Sequence, residues 1–197
     1  MRNLLLTCML LAVSAEARAD GWVLDNDASI LNFVSVKAGT IAEINRFGEL
    51  AGTIDEDGKT RLTIDLDSVD TAIEIRDQRM REMLFETGKY PVANVILEVG
   101  SEILAAAPGT MHSTALEATL ELHGETHAVT AEVTVARLGE DRLLVVTRRP
   151  VVLDAGAFGL GEGIEALREV AGLSGITPSV PVTFVLVFEP GLSFASQ

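Results

Sequence analysis

The chain reads as a mainly β protein, an antiparallel barrel or sandwich with one or two short helices. Three observations predict this. Apolar and polar residues alternate in short stretches from Trp22 to Glu189, separated by turn residues at hairpin spacing. Helical spacing is confined to residues 68–91 and 161–173. Residues 145–153 and 183–189 have apolar side chains at adjacent positions, which needs two covered faces. A barrel with a lined interior and a packed exterior supplies both; a one-sided sheet does not.

Residues 1–19 are expected to be a signal peptide. Arg2 is the positive start, residues 4–13 are the apolar run, and Ala17-Arg18-Ala19 is a small-x-small cleavage site. The run falls short of the roughly 20 residues that span a bilayer, so no stable membrane insertion is expected. Cys8 is the chain's one cysteine; it lies inside the run and lacks the small preceding neighbour of a lipoprotein site. Cleavage after Ala19 leaves a cysteine-free domain over 20–190, expected in the periplasm or secreted, whose core must suffice without disulfides. The net charge is −14, and loss of Arg2, Arg18 and Glu16 makes the mature chain more acidic still. Such a surface repels nucleic acid and anionic headgroups, so neither is an expected partner.

The first strand covers 22–25 and 29–37, with Leu31, Phe33 and Ser35 facing one way. Residues 42–54 carry Phe47, Leu50, Gly52 and Ile54, and Asp55-Glu56-Asp57-Gly58 turns the hairpin. The remaining ligands of a calcium loop are missing there. Leu62, Ile64 and Leu66 alternate with Thr63, Asp65 and Asp67. Helical steps then link Ile73, Asp77, Met80 and Leu84, with Met83 beside them, until Gly88 and Pro91 stop the helix. Alternation resumes over 93–103 and is broken at 105–109. It continues over 113–122 and 128–136, around His123-Gly124-Glu125-Thr126, and over 142–153. Residues 161–173 place Ile164, Leu167 and Ala171 on one stripe, a helix that either plugs one end of the sheet or serves as a lid. Pro178 and Pro181 force an extended approach to the last strand, 183–189, and residues 191–197 read as a tail. No linker, fixed-period repeat or composition shift marks a second domain.

Catalytic chemistry is not apparent. His123 and His127 have metalloprotease spacing, but they flank a hairpin in the order His-Gly-Glu-Thr-His, so the required helix is missing. Gly159, Gly161 and Gly163 fail the dinucleotide-loop spacing at Ile164. There is no nucleophile elbow. Asp65, Asp67 and Asp70 fit the wet face of a strand. The chain is therefore expected not to be an enzyme and to hold no catalytic or metal site.

The order Ser68-Val69-Asp70-Thr71, Arg76-Asp77, Leu84-Phe85, Lys89-Tyr90-Pro91 resembles the YceI-like family of exported polyisoprenoid-binding proteins. Trp22-x-x-Asp25, Ser29-x-Leu31-x-Phe33 and Phe47-x-x-Leu50-x-Gly52 support it upstream. Leu120-x-Leu122-His123-Gly124-x-Thr126 and Phe158-Gly159-Leu160 support it downstream. The chain departs from the family pattern at Ala28, Lys37 and Arg79, where histidine is common, at Leu50, where phenylalanine is common, and in a longer segment after Phe158.

The resemblance implies a lipocalin-like β-barrel with a long apolar cavity for an isoprenoid lipid, either a quinone or a polyprenyl phosphate. No cofactor is required beyond that ligand. Candidate ligand-binding residues are Leu31, Phe33, Phe47, Met80 and Leu84, together with Phe85, Leu120, Leu122 and Phe158. Met and Phe adapt to a flexible chain. Arg76 is a candidate for the headgroup, or else pairs with Asp77 or Asp70 to fix the turn. The alternatives are a lipid-modifying enzyme and a structural or stress-related barrel filled by its own side chains. A homodimer is compatible with this reading.

Overall fold

The computed structural model describes residues 21–191, and there the alternating segments form the twelve strands of one antiparallel sheet. The expected signal peptide lies outside the described residues, as does the expected tail after Gly191. In chain order the first six strands are β1 (Trp22–Leu24), β2 (Ile30–Lys37), β3 (Ile41–Phe47), β4 (Leu50–Ile54), β5 (Lys59–Asp65) and β6 (Val69–Asp70). They are followed by β7 (Val92–Glu98), β8 (Met111–Leu122), β9 (Glu125–Arg137), β10 (Leu143–Thr147), β11 (Val151–Asp154) and β12 (Ser179–Pro190). Three short helices are α1 (Glu74–Arg79), α2 (Ser101–Leu104) and α3 (Gly161–Val170).

β1 pairs with both β4 and β12, which closes β1-β4-β5-β7-β8-β9-β10-β12 into an eight-stranded lipocalin-like barrel. β12 is long enough to carry β1 and β2 end to end along one edge and β10 and β11 along the other. The segments 22–37, 42–54 and 142–153, each read as one strand from sequence, are therefore staves broken in two. The breaks have local causes. At Gly48 and Glu49 the backbone N–H groups leave the ladder for Ser68, one to its carbonyl and one to its hydroxyl, both at 3.0 Å. At the turn after β1, Asp25 accepts from the Ala28 N–H at 3.1 Å. Pro150 has no N–H to offer between β10 and β11. The expected strand 93–103 likewise ends at Glu98 and gives way to α2, whose Ile103 turns into the core.

Register defines two ends. Ile54, Thr60, Leu97 and Phe188 lie at the end covered by α2, and Lys37, Glu43, Ala93 and Val180 at the other. At the covered end Gly52 has a packing role: a Cβ there would stand 3.3 Å from the Leu24 Cβ and 3.4 Å from the Phe188 ring. With hydrogen in its place, Leu24 and Phe188 pack over the glycine, and Val133, Val135 and Leu143 are buried in the same core cluster.

The central helical segment departs from uniform α geometry. After a 3₁₀ turn at Leu66–Ser68 and the two residues of β6, Ala72 adopts a left-handed φ of 59°, and its N–H is held by the Asp70 carboxylate at 2.8 Å. α1 then passes into a π turn at Met80–Leu84, where the Phe85 N–H donates to the Met80 carbonyl at 2.9 Å. The wider turn brings Phe85 to the buried side with Met80 and Leu84, which 3.6-residue spacing alone does not do. α3 packs on this turn at very close range: a Cβ on Gly163 would lie 2.6 Å from the Met83 carbonyl oxygen.

Candidate ligand-binding cavity

Beside the packed cluster of Leu24, Val133, Val135 and Leu143 the barrel is hollow, and the cavity wall reaches Ile54, Thr60, Leu97, Val99 and Phe188 at the end covered by α2. A cavity of about 550 Å³ runs up its axis to an opening bounded by the end of β2, the start of β3, the start of α1 and the end of α3. This volume is within the roughly 300–1,000 Å³ of ligand pockets. The wall is apolar nearly throughout, supplied by inward positions of β5, β7, β8 and β12 and by Ile164, Leu167 and Val170 of α3. α3 therefore forms part of the cavity's upper wall.

Polarity enters along one pair of strands. Cross-strand neighbours on β2 and β3 run Leu31 with Phe47, Phe33 with Asn45, then Ser35 with Glu43, and Lys37 follows at the opening. Because side chains alternate, all of these share the inner face, and the wall changes from hydrocarbon to charge in about three steps.

At the opening, the Glu43 carboxylate accepts from the Arg76 guanidinium at 2.7 Å and from the Lys37 ammonium at 2.9 Å. The Lys37 hydrogen bond, reinforced by the charge of Arg76, holds the Glu43 carboxyl below its ordinary value, against the opposing effect of burial. Arg76 also donates to the Thr71 carbonyl at 2.6 Å. Asp77 is buried and accepts from the Thr71 N–H at 2.9 Å and from its hydroxyl. Asp70 pairs with Arg46 at 2.8 Å on the outer side, and its carboxyl is lowered by the Ala72 N–H and then by Arg46. The partner of Arg76 is thus Glu43, not the Asp70 or Asp77 expected from local sequence. Those two carboxylates are already committed to backbone and hydroxyl donors of the same turn.

All ten sequence-derived candidates stand on the cavity wall: Leu31, Phe33, Phe47, Met80, Leu84, Phe85, Leu120, Leu122 and Phe158 on its apolar part, and Arg76 at the opening. Phe33, Phe47 and Phe85 form a contiguous aromatic group, with ring centroids 5.3 and 5.7 Å apart. Glu43, Asn45 and Arg79 were missed. The signal that finds Glu43 and Asn45 is their parity with Phe47, which makes them polar residues on an inward face.

His123 and His127 are held by different partners. The His123 ring stacks on Tyr90 with centroids 4.5 Å apart and lies 2.8 Å from the Glu86 carboxylate; His127 lies 2.9 Å from the Ala157 carbonyl and edge-on to Phe158. They tie the β8–β9 hairpin to the helical corner and to the loop before α3.

The YceI-like domain model matches residues 22–188. No curated protein sequence matches the chain. Among solved structures, a polyisoprenoid binding domain from Saccharophagus degradans, implicated in plant cell wall breakdown, is 40% identical, with a TM-score of 0.84 over 87% of this chain and 99% of that one. BcnA of Burkholderia cenocepacia is 21% identical with a TM-score of 0.65, covering 83% of this chain and 98% of its own. The Campylobacter jejuni YCEI protein is 16% identical with a TM-score of 0.52, covering 76% and 85%. The latter two likenesses are of fold alone. By the extent of the domain match and by the identity to the Saccharophagus domain, the chain belongs to the YceI-like family.

Proposed function

We propose that this protein carries or stores an isoprenoid lipid, a quinone or a polyprenyl phosphate, with the chain inside the barrel and the headgroup at the opening. The observation that carries this reading is the apolar cavity of about 550 Å³ in a chain 40% identical to a polyisoprenoid binding domain. Each methylene moved from water into such a cavity contributes about 0.8 kcal/mol, so chain burial dominates affinity. A barrel filled by its own side chains would leave no such space. The protein acts by binding, without catalysis and without a cofactor. Leader residues 1–19 support a periplasmic or secreted location.

Organic extraction and mass spectrometry of protein purified from its native exported fraction tests the reading. A co-purifying isoprenoid is expected; no such lipid, together with no binding of quinones or prenyl phosphates in titration, overturns it. Leu84→Asp places a carboxylate on the wall and is expected to abolish lipid binding in a folded barrel, checked by circular dichroism alongside the titration. Light scattering on the same material checks whether two copies associate.

A further inference from the structure

We infer that the opening is built for an anionic oxygen headgroup, so that the ligand is a prenyl phosphate or diphosphate and not a quinone. The inference rests on the isoprenoid reading above and adds the chemistry of the headgroup.

Two independent observations carry it. The first is charge. The chain as a whole has a net charge of −14, yet the ionisable residues on the cavity wall are Lys37, Arg76 and Arg79 against the single carboxylate of Glu43. Glu43 occupies Lys37 and Arg76, whereas Arg79 has no ion-pair or hydrogen-bond partner among the described residues. A neutral quinone ring gives this surplus nothing to neutralise, whereas a phosphate does.

The second is an unmet donor at the same opening. Arg76 lies on the cavity wall, and its Nε is buried with no hydrogen-bond partner, although the terminal nitrogens of the same guanidinium donate to Glu43 and to the Thr71 carbonyl. Buried donors are rarely left unpaired, so this N–H calls for an acceptor from a ligand, which a phosphate oxygen supplies.

The test is titration of the full mature protein with farnesyl phosphate and with farnesol, which share the chain and differ in the headgroup. The expected result is binding of the phosphate at least tenfold tighter, with a preference that shrinks as salt rises. Arg79→Gln should lower the phosphate-to-alcohol affinity ratio roughly tenfold, and Glu43→Gln, which releases Lys37 and Arg76, should raise it. Equal affinity for the two ligands, or a ratio unmoved by Arg79→Gln, overturns the headgroup assignment and leaves the isoprenoid reading standing. Saturable binding of neither overturns both.

Discussion

The lower and upper halves of the barrel are built from the same staves and put to different use. Below, Leu24, Val133, Val135 and Leu143 are buried and do not line the cavity, and Phe188 packs over Gly52. Above, Leu116, Leu120, Val129 and Ala131 point inward from continuations of the same strands and meet a cavity. Strand pairing does not distinguish the halves. What differs is what covers each end: α2 with Ile103 below, α1 and α3 above. The cluster round Leu24, Val133, Val135 and Leu143 lies off the cavity and holds the fold, whereas the wall, which reaches Ile54, Thr60 and Leu97 near α2, is left open to a ligand.

Truncation should break this comparison most strongly. Leu143→Ala removes a side chain that is 2% exposed from the packed cluster and is expected to cost about 4 kcal/mol, because a new void is created. Leu120→Ala on the cavity wall only enlarges an existing space, and should cost about 2 kcal/mol. Equilibrium urea denaturation of the two variants checks the difference; equal costs would mean that the upper half is as well packed as the lower.

Enlargement is the reverse experiment. Val135→Phe overpacks the cluster and should cost about 1–3 kcal/mol. Ala131→Phe, two turns of the pleat higher on the same strand, faces the cavity and should leave the denaturation midpoint nearly unchanged while abolishing lipid binding. Gly163→Ala addresses the cover rather than the wall. A Cβ 2.6 Å from the Met83 carbonyl must push α3 off the corner, with a net cost of about 1 kcal/mol after the gain in helix propensity. Faster release of bound lipid, read by stopped-flow exchange, is expected from this variant.

The smallest effect is electrostatic and belongs to the opening. Glu43 titrates below its ordinary value of 4.5 in the folded protein because Lys37 and Arg76 favour its charged form. The stabilisation is complete above the ordinary glutamate range and is lost as pH falls through the lowered value. For this partly exposed cluster it amounts to about 0.5–1 kcal/mol. Melting temperature against pH should therefore fall less steeply on the acid side in Glu43→Gln than in the parent.

Much of this was legible because strand parity is a local property. Leu31 and Phe33, or Leu120 and Leu122, share a face wherever the strand is placed, so the wall residues emerge from period-2 alternation together with the family resemblance. The helical corner was legible in extent but not in form, since Phe85 joins Met80 and Leu84 on the buried face only through a π turn that no spacing rule anticipates. The partner of Arg76 was out of reach for a different reason. Glu43 is 33 residues away, and local carboxylates at Asp70 and Asp77 looked equally suitable until their own partners were known.

Sequence by itself determined the alternating staves, the turn positions and which residues could share an inner face, because these follow from short-range backbone geometry. Tertiary structure alone decided the breaks within the staves, the closure of β1 on β12, the packed cluster beside the cavity, and the gathering of Lys37, Glu43, Arg76 and Arg79 at one opening. Those outcomes depend on which distant segments become neighbours, and contact between remote residues is set by the packing of the whole chain.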